Sequence, residues 1–289
     1  MKLLFGNQTP PARHIMNEFL VSLIIVSCFT FIINITESLA YSMRYAGLKT
    51  KQIAIAMSFV SSTLLISRLS NMFQAPLLGK MVDDSIKIGT QSALVNLETN
   101  FRIIIFAGAA GVIAAGLLTP TIIKIYILAI NNFLRIGSLP RMLIKTVTSP
   151  RRLLKIAFCF TIPRLSMAKG ISWKNLPKRF LILNGLVTSI YAIGVLSSLL
   201  AGAFLPDLRA TAIQLSGIVN GIATILFTLM VDPPGARITD QAVHGTRPTA
   251  DVKSVIFFLI FFRLLGILII SQLILMPATR YIIFITKLI

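Results

Sequence analysis

The chain is poor in the residues that do chemistry. Its 289 residues include two cysteines, two histidines and one tryptophan, and only nine acidic residues against 28 Lys plus Arg. Cys28 and Cys159 both sit in apolar stretches, which leaves no disulfide framework and no CxxC pair. His14 and His244 are too few and too far apart for a zinc site. Asp240 and His244 stand four residues apart, as helix neighbours would. Pro233, Pro234 and Pro248 flank them, however, so Asp232 and Asp240 read as turn or cap residues. Asp83 and Asp84 are adjacent and cannot face one spot on a helix or strand, which makes them a poor acid/base pair. No Walker loop, GxSxG, HExxH or GxGxxG is present. The sequence therefore offers no catalytic residue, metal or cofactor, and it does not read as an enzyme.

Apolar residues are abundant instead. Hydrophobic residues make up 55% and the mean hydropathy is +0.85, far above a soluble domain. The apolar runs are long and continuous rather than alternating, which excludes a barrel. The fold class is all-α, a polytopic transmembrane helix bundle of about six spans, and 1–289 reads as one integral membrane domain. Spans are expected near 18–42, 52–72, 102–130, 180–205, 210–231 and 254–277. The first resembles a signal peptide, with Lys2 and Arg13 before it and Ser38–Ala40 like a cleavage site, but Glu18 and the uninterrupted sequence beyond favour a span.

The formal charge of +19 would suggest nucleic acid in a soluble protein. In a membrane protein it points to cytoplasmic loops lying against anionic phospholipids, and a phosphate-bearing substrate would use the same sign. The segment 131–179 holds eleven Lys and Arg and no acidic residue. The positive-inside rule makes this loop cytoplasmic and both termini external. Its apolar piece LLKIAFCFTI is too short to span and reads as a basic amphipathic segment at the interface, with Trp173 at the same level. Arg44, Lys49, Lys51 and the loop 232–253 then fall inside, and Lys80, Asp83, Asp84, Lys87 and Glu98 outside.

Small residues mark close helix packing: Gly108–Gly116 as GAAGVIAAG, and Gly217–Gly221 as GIVNG with GxxxG spacing, within one bundle or between copies. Pro76, Pro120 and Pro277 interrupt apolar segments, either as structural kinks or as breaks lining a cavity.

Polar groups at membrane depth carry the functional signal, because such residues face a bundle interior or an aqueous cavity. Glu37 closes an apolar run, either braced by Arg44 or Lys51, or acting as a proton or cation carrier or as the holder of an arginine. Arg263 lies inside FFLIFFRLLGILII, too deep to snorkel, and calls for an internal partner or an anionic ligand. Gln272, nine residues on, is about 180° away on a regular helix. Arg68 and Asn71 share a helix face, with Gln74 drifting off it. Arginine forks suit diphosphate, and Asn and Gln suit sugar and amide groups, though an interhelical hydrogen-bond cluster would use the same residues.

ITESLAYSMRYAGLKT, SRLSNMFQAPLLG, DPPGARITD and FRLLGILIISQLILMPA resemble the Amj family of bacterial inner-membrane proteins, alternate lipid II flippases. The resemblance runs over nearly the whole chain and is least distinctive in the basic loop. It implies a part in peptidoglycan synthesis: moving lipid II, the undecaprenyl-diphosphate-linked disaccharide-pentapeptide, from the cytoplasmic to the outer leaflet. It supplies no list of functional residues, so the roles are physical inferences. Arg68 and Arg263 would meet diphosphate, Asn71 and Gln74 sugar or peptide, and Glu37 with Arg44 would supply counter-charge or ion coupling. Without an ATP-binding motif, movement would be passive or driven by an ion gradient or the membrane potential. A polyprenyl-phosphate enzyme, a non-transporting envelope scaffold and an exporter of another polar substrate are the competing readings.

Overall fold

A computed structural model describes residues 10–161, 163, 170–174 and 176–289, with side chains from residue 19 onward. Lys2, Arg164 and Lys169, and the side chains of Arg13, His14 and Glu18, lie outside that description. The described residues are mostly helical, without strands. Six helices or helix pairs are long and apolar enough to cross a membrane: Phe19–Thr50, Ile53–Ile88, Gln91–Ile136, Lys178–Phe204, Pro206–Val243 and Thr249–Leu288. The expected six spans are therefore present, and the molecule is a multi-pass membrane protein.

The first span is α1 (Pro10–Ala40) followed by the short α2 (Met43–Thr50). The join is a tight turn: the backbone N–H of Tyr41, Ser42 and Arg44 reach carbonyls three residues back. The Ser42 hydroxyl donates to the Leu39 carbonyl at 2.5 Å. α3 (Ile53–Ile88) and α4 (Gln91–Ile136) form the second and third spans. Gly89 and Gly137 end them with positive φ of 65° and 71°, the left-handed cap that glycine adopts without strain. Thr90 caps α4 by accepting from the Ala93 N–H at 3.3 Å. At roughly 1.5 Å per residue both helices outrun a 30 Å hydrocarbon core, so they tilt or project beyond it.

The basic segment folds into α5 (Leu139–Val147) and α6 (Pro150–Ala157), neither long enough to span. Their cationic side chains alternate with exposed Leu143, Ile144, Val147, Leu154 and Phe158. Trp173 packs on Phe258 and Phe262, with ring centroids 4.6 and 5.6 Å away.

The last three spans are α7 (Lys178–Phe204), then α8 (Arg209–Leu226) continuing into α9 (Asp232–Val243), then α10 (Thr249–Leu265) continuing into α11 (Ser271–Leu288). The joins Phe227–Val231 and Gly266–Ile270 are π-helical. Of the two readings of the prolines, a break in the helix is the one not found. Pro76, Pro120 and Pro277 all lie inside continuous helices, because the rest of each ladder stays intact. The interruptions are the two π segments, a feature that often marks functional sites. No re-entrant turn forms at Pro76, and the expected loop 232–253 is largely helix.

The spans group into two halves of three. In the first, α1 runs between α3 and α4; in the second, α7 runs between α8 and α10–α11. In each, the outer pair touch one another much less than they touch the central span. Glycine permits the closest crossings. A Cβ on Gly111 would stand 2.5 Å from the Phe31 carbonyl oxygen of α1, and one on Gly185 2.7 Å from that of Phe262. The Gly108–Gly116 motif thus packs inside the bundle. Gly217 and Gly221 do not, since a Cβ on either meets nothing within 4 Å among the described residues.

Candidate functional site

One face of the first span carries Thr30, Asn34, Glu37, Tyr41 and Arg44, spaced four, three, four and three residues apart. That spacing keeps polar groups in one stripe along a helix. The tight turn at Tyr41–Ser42 preserves the stripe while redirecting its end, so Arg44 and Glu37 reach different partners. Ser27, one turn before the stripe, has no hydrogen-bond partner for its buried hydroxyl among the described residues.

Each group on the stripe meets a partner from another span. Arg263 of α10 donates to the Glu37 carboxylate at 2.6 Å and to the Asn34 amide oxygen at 3.0 Å. The Arg263 side chain is 8% exposed and that of Glu37 33%. Glu37 also accepts from the Ser67 hydroxyl of α3 at 2.6 Å. The Tyr41 hydroxyl donates to the Asn184 amide oxygen of α7 at 3.0 Å, and the Asn184 amide donates to the Leu259 carbonyl at 2.9 Å. Arg44 pairs with Asp232 at 2.9 Å. The Thr30 hydroxyl donates to the Gln74 side-chain oxygen at 3.2 Å.

Apart from Asn184 and Leu259, these residues line a cavity of about 760 Å³ between the halves. α1 forms its back, α3 one flank, and α7, α8 and α10 the other. α3 and α8 scarcely touch, and the lining residues Arg68, Asn71 and Met72 on α3 are exposed. Glu37, Arg44, Arg68, Asn71, Gln74 and Arg263 all line it. Gln74 is buried against α1, unlike Arg68 and Asn71. Among the described residues Arg68 has no ion-pair or hydrogen-bond partner. Three cavity-lining groups are buried and unpartnered there as well: Arg44 Nη1, Arg263 Nε and Asn220 Oδ1. A wall with free guanidinium N–H groups and amide oxygens can receive an anion and hydrogen-bonding groups.

Several expectations need correction. Glu37 is braced neither by Arg44 nor by Lys51; Arg263 is its partner. Arg44 is not a loop residue but is 9% exposed in a buried helix. Asp232 opens α9 and binds Arg44 across the halves rather than serving as a turn residue. Its motif neighbour Gly235 has the Arg44 guanidinium against its Cα, where a Cβ would collide with it. Arg263 and Gln272 meet different helices, and only Arg263 lines the cavity. Arg263 reaches α1, while Gln272 exchanges hydrogen bonds with Arg102 of α4, donating to its carbonyl at 3.0 Å and accepting at its own carbonyl at 2.7 Å. The π turn between them breaks the regular register. Sequence reading missed Asn34, Tyr41, Asp232, Asn184 and Asn220; the spacing of the stripe was the available signal for the first two. Asp240 and His244 stand 3.5 Å apart and exposed on α9, away from the cavity.

Comparison with known proteins gives a consistent assignment. The family described as Amj, Alternate to MurJ, matches residues 29–286. A curated relative, "Lipid II flippase Amj" of Bacillus subtilis (strain 168), is 32% identical over 272 residues, 94% of this chain and 99% of that protein. No solved structure matches. The chain belongs to the Amj family.

Proposed function

We propose that this member of the Amj family is a lipid II flippase, a transporter that moves the undecaprenyl-diphosphate-linked peptidoglycan precursor from the cytoplasmic to the outer leaflet of the bacterial inner membrane. The observation that carries the reading is the cavity between the two halves, with Arg44, Arg68 and Arg263 in its wall. Flipping such a lipid requires shielding a diphosphate and sugars from hydrocarbon while the polyprenyl tail stays in the bilayer. A polar groove opening to lipid between α3 and α8 would meet that requirement. No bond is made or broken, so no catalytic residue is called for.

Arg68, exposed and without a partner among the described residues, is the first contact for diphosphate. Asn71, beside it, meets sugar or peptide. Arg263 takes up the diphosphate deeper in, by exchanging Glu37 for the anion, with Gln74 lining the path. Glu37 then becomes the counter-charge or proton-accepting group, and Arg44 closes the stripe at its basic end. The chain acts as one integral membrane domain. Its basic segment, with α5 and α6, faces the cytoplasm, seats its exposed apolar side chains among acyl chains and draws anionic phospholipids and lipid II to the mouth. Both termini are external.

The test is complementation in a bacterium depleted of its known lipid II flippase, scored by lipid II exposed at the outer leaflet. Restored growth and exposure support the reading. Normal membrane expression with neither restored removes it.

A further inference from the structure

Resting on the transport reading, we propose that the two three-span halves rock against each other around the shared cavity, with two ion pairs as closing links. Asp83–Arg209 closes the end away from the basic segment, and Arg44–Asp232 closes the basic end. The argument starts from topology. α1 runs toward the basic end, where Arg44 sits, and α7 starts there and runs away from it. An odd number of spans per half gives the halves opposite senses in the membrane. Their packing order is nevertheless the same, with the first span held between the second and third. Two such halves with a polar cavity at their interface form the architecture in which one half moves against the other around a fixed site.

The polar links between the halves divide into two sets. Glu37–Arg263, Tyr41–Asn184 and Arg102–Gln272 join α1 and α4 to α7, α10 and α11 along the back of the cavity. Tyr41 and Asn184 are buried at 7% and 0% exposure, so parting them would leave a hydroxyl and an amide unpaired away from water. The second set lies at the ends of the open side. Asp83, late in α3, pairs with Arg209, the first residue of α8. Their side chains are 41% and 31% exposed. Arg209 thus bridges the two helices that flank the lateral gap, beyond the outer limit of the cavity at Leu78. At the other end Arg44 reaches Asp232, whose side chain is 48% exposed. Water can reach the carboxylate of both pairs and Arg209 as well, whereas Arg44 is 10% exposed and needs another acceptor once Asp232 leaves it. Tyr41–Asn184 and Arg102–Gln272 serve as the pivot, the end links as the parts that open, and Glu37–Arg263 as the pair that exchanges with the anion.

The test measures access to the cavity without using lipid II. In a chain with Cys28 and Cys159 replaced by alanine, Leu64→Cys places a reporter thiol on the cavity wall. Its reaction with a membrane-impermeant maleimide is followed in intact cells and in inside-out vesicles. Asp83→Arg sets two cations against each other and is expected to raise labelling from the outer face at least tenfold. The exchange variant Asp83→Arg/Arg209→Asp should return it to the starting rate. Asp232→Arg should raise labelling from the inner face instead. If Asp83→Arg does not reach the membrane, Asp83→Asn is read in its place. Unchanged labelling in the Asp83 variant, or an equal rise from both faces, overturns the proposal. Labelling as expected in a protein that does not complement flippase loss would count against the lipid II reading and leave the rocking halves standing.

Discussion

The Glu37–Arg263 pair allows structural and transport roles to be separated by charge removal. Glu37→Gln leaves the Arg263 guanidinium, 8% exposed, with only neutral oxygens for partners, among them Asn34 and Tyr41, and Nε still unpartnered among the described residues. Breaking a buried pair from one side costs about 3–5 kcal/mol. Glu37 is 33% exposed toward the cavity, and screening there lowers the expected loss to about 2–3 kcal/mol. Arg263→Gln should cost a similar amount by stranding the carboxylate. The double variant Glu37→Gln/Arg263→Gln strands no charge, and two amides can hydrogen-bond at the same place. It should therefore recover most of one single loss, a coupling of about 1.5–3 kcal/mol. Unfolding of the purified protein in detergent, run on all four members of the cycle, measures this. Losses that simply add would refute the pair as an energetic unit. Transport measured on the same four proteins then divides the roles. A pair that only braces the fold gives a double variant regaining both stability and outer-leaflet exposure of lipid II. An arginine that takes the anion gives one regaining stability alone, and that is the expected result.

Three further outcomes follow from the same geometry. Arg68→Ala removes a side chain with no partner among the described residues, so unfolding should move by less than about 0.5 kcal/mol while transport falls at least tenfold; a matching loss of stability would make Arg68 a packing residue. Gly111→Ala puts a Cβ 2.5 Å from the Phe31 carbonyl oxygen and should destabilise by about 1–3 kcal/mol, whereas Gly217→Ala, with nothing within 4 Å, should not; equal behaviour in detergent unfolding would contradict the α1–α4 crossing. Gly235→Val should displace Arg44 from Asp232 and lower transport, with Asp232→Asn giving the same direction, as measured by complementation at matched expression.

Much of the site was legible because membranes make polar residues conspicuous. Glu37, Arg68 and Arg263 stand out in apolar runs, and the cost of leaving them in hydrocarbon already requires partners or a cavity. The need for a partner does not say which one. Sequence distance favoured Glu37 with Arg44, seven residues on, yet Arg263 lies 226 positions away. Asp232 looked like a turn residue because two prolines follow it, but prolines in the first turn of a helix start it as readily as they end one.

The sequence by itself determined the class of molecule, the number of spans, and the polar residues that cannot face lipid. These follow from length, hydropathy and charge, which are sums over local stretches and need no knowledge of what lies next to what. Only the tertiary structure decided the pairing of Arg263 with Glu37 and of Arg44 with Asp232, the placing of the π turns, and the grouping of spans into two halves around one cavity. Those depend on which helix faces cross and in what register, and a turn as small as Tyr41–Ser42 or a single π-helical segment is enough to redirect them.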